Sequence, residues 1–135
     1  MRAKGEFDVT LVPRPPEDKT EGPALGRMSL DKQYRGDLAA TSKGEMLTAT
    51  TAIQGSAGYV AMERVTGALG GRTGSFVLQH SGTVNRGEPR LTIRIVPDSG
   101  TAELTGLAGT MTIEVTGGKH FYEIEYTLSG SSDPK

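Results

Sequence analysis

Two runs typical of β-strands flank a glycine-rich turn between residues 59 and 83, and this stretch constrains the fold more than any other. The turn reads Gly-Ala-Leu-Gly-Gly-Arg-Thr-Gly over residues 67–74. The runs on either side, residues 59–66 and 75–83, are rich in apolar and β-branched side chains. Glycines permit the positive φ angles that join neighbouring antiparallel strands. The stretch therefore predicts an antiparallel β fold.

The rest of the chain repeats this pattern. Further β-type runs occupy residues 7–11, 25–34, 38–41, 46–53, 91–96, 101–104, 110–116 and 121–128, with turn residues between them. No segment keeps the 3.6-residue apolar period of an amphipathic helix over three turns. Residues 38–41 resume the run 25–34 after an interruption at Gly36 and Asp37, and some of the shorter runs are not separate strands. Seven or eight short strands separated by turns predict an all-β domain, either a barrel or a sandwich.

A chain of 135 residues is expected to form a single domain over residues 1–135 with a substantial core. Residues 13–26 contain four prolines and two glycines, and this composition predicts a loop, because proline cannot donate to a sheet ladder. Residues 129–135 are expected to be a flexible C-terminal tail.

Composition excludes several classes of function. Fifteen basic and sixteen acidic residues leave no basic patch for nucleic acid or an anionic membrane. The absence of cysteine excludes disulfides, thiolate catalysis and cysteine-ligated metals, and two distant histidines predict neither a metal site nor a bound cofactor. No apolar stretch matches a secretory signal or the roughly 18–20 residues of a membrane helix. We therefore expect a cytoplasmic protein that binds neither nucleic acid nor membrane.

His80 is the sharpest candidate for chemistry. In a strand with a period of two it lies on the same face as Phe76 and Leu78, so it points inward if they do. A partly buried histidine acts as a general base, as a ligand contact or as a structural group with satisfied hydrogen bonds. Gln79 takes its place if Val77 marks the inside instead.

Glu63 lies on the preceding strand, where its neighbour Arg64 occupies the opposite face. If Glu63 points inward near His80, the two form an acid–base pair with a shifted pKa, and otherwise Glu63 is an ordinary surface charge. Tyr126 is either a further ligand contact or a filler of the core. The predicted catalytic candidates are Glu63 and His80, and the predicted ligand-binding residues are Glu63, Gln79, His80 and Tyr126.

Several longer motifs together carry a resemblance to a known family. They are Thr-Ser-Lys-Gly-Glu-Met (41–46), Gly-Ser-Ala-Gly-Tyr-Val-Ala (55–61), Glu-Arg-Val-Thr-Gly (63–67), Gly-Ser-Phe-Val-Leu-Gln-His-Ser-Gly (74–82), Gly-Thr-Ala-Glu-Leu-Thr-Gly-Leu (100–107) and Gly-Lys-His-Phe-Tyr (118–122). The chain resembles a bacterial family of uncharacterised small proteins grouped with the allene oxide cyclase-like barrels. The resemblance implies a small antiparallel eight-stranded β-barrel with a cavity open at one end, assembled as a homo-oligomer. The plant cyclases convert an unsaturated epoxy fatty acid, but none of their catalytic residues matches a position here.

Three hypotheses for function follow. The first is a barrel that binds one small, mainly apolar ligand, with a polar contact from the candidate residues. The second is an isomerase or cyclase acting on a lipid-like unsaturated or oxidised molecule, which requires Glu63 and His80 to converge. The third is a structural oligomer whose barrel is filled by side chains.

Overall fold

Eight antiparallel strands close into a barrel in the computed structural model, which describes residues 1–14 and 24–128. The strands follow one another around the barrel in sequence order, and the first strand pairs with the last. They are β1 (Arg2–Arg14), β2 (Ala24–Gly36), β3 (Leu38–Thr50), β4 (Ala57–Leu69), β5 (Arg72–Asn85), β6 (Glu88–Ile95), β7 (Leu107–Thr116) and β8 (Lys119–Leu128). One short 3-10 helix, Ala102–Leu104, lies between β6 and β7. The all-β, eight-stranded antiparallel barrel predicted for this chain is confirmed.

The central glycine turn is tighter than the eight-residue sequence motif. Leu69 pairs with Arg72, so only Gly70 and Gly71 lie outside the ladder. Their φ angles are +58° and +86°, values that glycine adopts without the steric cost of a side chain. Positive φ at both central residues gives the turn the twist that a two-residue hairpin requires.

Three predicted boundaries are wrong. Residues 101–104 form the 3-10 helix instead of a strand, because Ala102 has a φ of +52° that interrupts an extended backbone. The run 38–41 and the first part of the run 46–53 belong to a single strand, β3, which ends at Thr50. The predicted loop 13–26 is too long at both ends, since β1 continues to Arg14 and β2 begins at Ala24. Pro13 fits within β1 because β8 pairs only with residues 2–7, which leaves that side of β1 without a ladder partner at Pro13.

The loop residues 15–23 and the predicted tail 129–135 lie outside the described residues.

The alternation of side chains sets the interior of the barrel. One end, which we call the plugged end, is filled by apolar side chains that are almost wholly buried, among them Leu38, Leu69, Leu104 and Leu107. The Tyr122 hydroxyl crosses to the β2–β3 turn, where it donates to the Arg35 carbonyl at 2.8 Å. Leucine 104 comes from the 3-10 helix, so this helix helps to close the plugged end.

The opposite end, which we call the open end, is less well covered. Leu11, Leu91 and Val115 belong to the inward-facing sets of their strands, yet they are 43%, 43% and 61% exposed. Between the two ends, the interior is interrupted by a group of buried polar side chains that includes Glu63 and His80.

Candidate functional site

A carboxylate lies at the centre of the buried polar group. Glu63 is 1% exposed, and four side chains from three other strands make hydrogen bonds to it. We call the five residues the Glu63 cluster: Lys32, Tyr34, Ser42, Glu63 and His80.

The two carboxylate oxygens of Glu63 divide these partners. Oε1 accepts a hydrogen bond from Lys32 Nζ at 2.8 Å and lies 2.6 Å from His80 Nε2. Oε2 accepts from the Tyr34 hydroxyl at 2.7 Å and from Ser42 Oγ at 2.6 Å. A carboxylate has about four lone-pair sites, so this one is fully used. Distances this short are typical of hydrogen bonds to a charged group.

These contacts keep Glu63 ionised. Burial alone would raise its pKa, but the hydrogen bond with His80 and the charge and hydrogen bond of Lys32 outweigh burial and lower the pKa to about 2. Burial also raises the pKa of Tyr34, and the neighbouring Glu63 charge raises it further, so the Tyr34 hydroxyl keeps its proton and donates. Glu63 is therefore a weak base whose role is to orient its partners.

Lys32 is the counter-ion of Glu63, and aromatic rings surround the rest of its charge. Its Nζ lies 4.7 Å from the centroid of the Phe7 ring and 5.6 Å from that of Tyr34. Ring faces attract a cation, and the attraction strengthens where water is excluded. The ion pair and the rings together stabilise a lysine that is only 8% exposed.

His80 is held at one ring nitrogen and open at the other. Because Glu63 is ionised, Nε2 carries the proton of their shared hydrogen bond. Within the described part of the chain, Nδ1 has no hydrogen-bond partner. Every fully enclosed polar side-chain atom there does have one, so Nδ1 must reach accessible surface. His80 thus keeps one ring nitrogen without a hydrogen-bond partner while Glu63 fixes its ring.

The register of the strands brings the cluster together. Lys32 pairs with Ser42 across β2 and β3, and Glu63 on β4 lies two residues from Ala61, the partner of His80 on β5. Gly44 is the residue of β3 that faces Glu63, and a Cβ there would overlap the Met62 carbonyl oxygen. A glycine at this position lets β3 approach β4 closely beside Glu63.

The structure brings together only two of the four predicted site residues. Glu63 and His80 both point inward and are in contact, as the period of two predicts if Phe76 and Leu78 face the core. Gln79 was wrongly placed as an interior contact: it is exposed on the outer face, because the alternation that turns His80 inward turns Gln79 outward. Whether Glu63 and His80 act in catalysis or binding stays a prediction.

Tyr126 does face the interior, but it lies among apolar side chains of the core and is not a partner of Glu63. His120, the second histidine of the chain, belongs to β8 and is partly buried. Its ring lies 5.1 Å from the Phe7 ring, centroid to centroid.

Lys32, Tyr34 and Ser42 were not predicted as site residues. The alternation of side chains along each strand held a signal. Lys32 and Tyr34 lie on the same strand face as the apolar Leu30, and Ser42 lies on the same face as Leu38. A lysine on the apolar face of a strand indicates a buried partner, because an unpaired charge is too costly to bury.

Among residues 1–14 and 24–128 there is no group of three or more acidic, histidine or cysteine side chains able to hold a metal ion. In the same ranges, no helix has the length and apolar character needed to cross a membrane.

Comparison with known proteins places the chain among uncharacterised relatives. A family described as "Protein of unknown function (DUF3224)" matches residues 3–126. The chain is similar to a crystal structure of a protein with unknown function from that family, from Shewanella oneidensis MR-1, with 52% identity and a TM-score of 0.92. The match covers 96% of this chain and 97% of the other. No curated protein matches. The finer resemblance to allene oxide cyclase-like barrels stays a prediction.

Proposed function

This chain belongs to the DUF3224 family, and from its own geometry we propose that it binds one small, mainly apolar molecule inside the barrel. The observation that carries the proposal is the accessible Nδ1 of His80, on a ring oriented by the buried Glu63. A preformed polar atom among apolar walls is the usual plan of a small-molecule site.

The neighbours of His80 supply the apolar walls. His80 on β5 pairs with Ala61 on β4 at one side and with Ile93 on β6 at the other, and both partners are buried. Toward the open end, the inward positions of β2 and β7 carry Leu30 and Ile113. A ligand in this space is expected to be apolar along most of its length.

The polar end of the ligand follows from His80. Neutral His80 accepts a hydrogen bond at Nδ1, and protonated His80 donates one there. A hydroxyl or carboxyl group satisfies both forms. The proposed ligand is therefore an apolar molecule that ends in a hydroxyl or carboxyl group.

Fluorescence titration with dansyl-labelled undecanoic acid tests the proposal. We expect saturable binding, and we expect His80→Leu to weaken it at least about tenfold, since losing a hydrogen bond to the charged carboxylate of the probe costs about 1.5–3 kcal/mol. Gln79→Leu is the matched control, because Gln79 is the adjacent residue and faces outward. An affinity that is equal in both variants, with both still folded by circular dichroism, contradicts the proposal.

A second function, that of an isomerase on an unsaturated or oxidised lipid-like molecule, is favoured by the Glu63–His80 contact. A histidine oriented by a carboxylate and free at its other nitrogen has the geometry of a general base. Here His80 would remove the proton and Glu63 would hold the ring. Incubation of an unsaturated keto fatty acid in D₂O tests this: wild type should catalyse deuterium uptake beside the carbonyl, and His80→Leu should not.

A cytoplasmic location and a homo-oligomeric assembly are also part of the proposal. The location rests on the sequence, and the assembly is supported by the exposed apolar side chains of Leu47, Val60 and Met62 on the outer face of the barrel.

A further inference from the structure

The strands β6 and β7 are joined to each other over a small part of their length. They pair only through Ile93 with Met111 and Arg94 with Thr110. Each is nevertheless held as a strand to its end by its other neighbour, β6 by β5 and β7 by β8. In the described structure, residues 88–92 and 112–116 therefore face each other without a ladder. We call this interval the β6–β7 gap.

The gap begins at the level of His80. Ile93, in the last inward-facing pair before the strands part, is also the direct partner of His80 on β5. Continuing along β6 from Ile93 toward Glu88 leads into the gap and toward the open end of the barrel. His80 therefore lies next to the end of the β6–β7 gap that is nearer the plugged end of the barrel.

Apolar side chains line the gap. Leu91 and Val115 occupy inward-facing positions on its two sides, and they are 43% and 61% exposed. Ile93, one inward position below Leu91, is only 2% exposed. Exposure of the inward-facing side chains of β6 therefore rises at the point where pairing with β7 stops.

We propose that the β6–β7 gap is the passage by which a chain-like amphiphile reaches His80, and that its apolar chain remains between Leu91 and Val115 when bound. This inference rests on the proposed function. Two extended backbones with no ladder between them bound a long, narrow interval, here called the slot. A single unbranched hydrocarbon chain with a hydroxyl or carboxyl end fits such a slot better than a bulky ring system does.

The chain offers a matched pair of positions for a test, because it contains no cysteine and Leu11 and Leu91 are equally exposed, at 43%. Leu91 lies at the gap, whereas Leu11 is on β1 and at the open end. The variants Leu91→Cys and Leu11→Cys are each modified with the same bulky maleimide. Association of dansyl-labelled undecanoic acid is then followed by stopped-flow fluorescence before and after modification.

We expect the adduct at position 91 to slow association at least about tenfold and the adduct at position 11 to change it less than about twofold, because only the first obstructs the passage. Slower association with the adduct at position 11 alone places the passage at the end of the barrel and overturns the inference. Unchanged association with both adducts overturns it as well, while retained binding leaves the proposed function standing. Absence of saturable binding in unmodified wild type removes both proposals.

A second measurement keeps the test independent of any damage done by the adduct. Bound dansyl-labelled undecanoic acid should protect Leu91→Cys from alkylation by N-ethylmaleimide. Thr92→Cys is the control, since Thr92 is the next residue of β6 and is exposed on the outward face. Equal alkylation rates at position 91 with and without the probe contradict the bound position proposed for the apolar chain.

Discussion

At the scale of single residues, the Glu63 cluster behaves as one unit because each member satisfies another. Glu63→Gln removes the charge that balances Lys32 and leaves a buried ammonium group beside an amide that is itself partly a donor. Breaking one side of a buried ion pair typically costs about 3–5 kcal/mol, and we expect a loss of stability in this range. Urea unfolding followed by circular dichroism measures it.

Two further variants show whether the cost comes from the ion pair. Adding Lys32→Met to Glu63→Gln removes the orphaned charge, so the double variant should be less destabilised than the sum of the single changes. Glu45→Gln breaks an exposed ion pair with Arg27 and should change stability by less than about 0.5 kcal/mol. Additive single effects argue against coupling between Lys32 and Glu63.

The lowered pKa of Glu63 predicts how stability depends on pH. The folded value is about 2 and the ordinary value is 4.5, so the unfolded chain takes up the proton first as pH falls. Glu63 therefore contributes its full stabilisation above about pH 5 and loses it progressively down to about pH 2. A shift of this size corresponds to about 3 kcal/mol.

Comparing wild type with Glu63→Gln isolates this contribution from the other carboxylates. The difference in unfolding free energy between the two proteins should shrink as pH falls from 6 to about 2. A difference that stays constant over this range would mean that Glu63 does not carry the linkage.

The alternation of side chains along a strand was enough to predict which way some of them point, but not which residues they contact. Once Phe76 and Leu78 face the core, His80 must do so too, and this was open to sequence reasoning. The contact of His80 with Glu63 depends on the register of β4 and β5, which the short turn at Gly70 and Gly71 fixes. Lys32 lies on β2, two strands away from Glu63 on β4, and no local sequence pattern predicts that these two side chains meet.

At the scale of strands, the β6–β7 gap makes a prediction about backbone protection. Alternate amides of residues 112–116 that do not bond to β8 have no ladder partner, so their hydrogens should exchange at nearly the rate of an unfolded chain. Amides of residues 60–65 on β4, which pair with strands on both sides, should exchange only through large-scale opening. Hydrogen–deuterium exchange followed by NMR compares the two groups directly, and uniform protection along β7 would indicate that the gap is closed in solution.

The strands themselves were easier to predict than the gap between two of them. Hairpin turns are local, and glycine pairs such as Gly117 and Gly118 mark them in the sequence. The mismatch between β6 and β7 arises because the connection between them, which includes the 3-10 helix, is long and does not fix the register as a short turn does. The failed strand prediction at residues 101–104 lies in this same connection.

At the scale of the whole molecule, closure of the sheet is a non-local property. Alternation and turns left a barrel and a sandwich equally open, and only the resemblance to a family implied an eight-stranded barrel. Closure requires β1 to meet β8, for example where Ala3 pairs with Ile124, across almost the full length of the chain. Both residues are buried and apolar, and similar buried apolar residues occur on the other strands. Their residue types therefore do not identify β1 and β8 as partners.

The outer surface of the barrel carries the last prediction, which concerns self-association. Leu47, Val60 and Met62 form a half-exposed apolar patch on β3 and β4, where Leu47 and Val60 are direct cross-strand partners. Arg27 pairs with Leu47 across β2 and β3, and Glu45 pairs with Met62, so opposite charges flank the patch. A two-fold-related copy packed on this face would cover the patch of both chains.

We therefore expect an oligomer by size-exclusion chromatography with light scattering, and we expect Val60→Lys with Met62→Lys to shift it to monomer. Because both side chains are half-exposed on the outer face, the double substitution should leave the melting temperature of the barrel nearly unchanged once subunit dissociation is accounted for. Thr112→Lys, on the outer face of β7, is the control and should keep the assembly intact. A wild-type protein that is monomeric at all concentrations refutes self-association, and an oligomer that survives the double substitution places its interface on another face of the barrel.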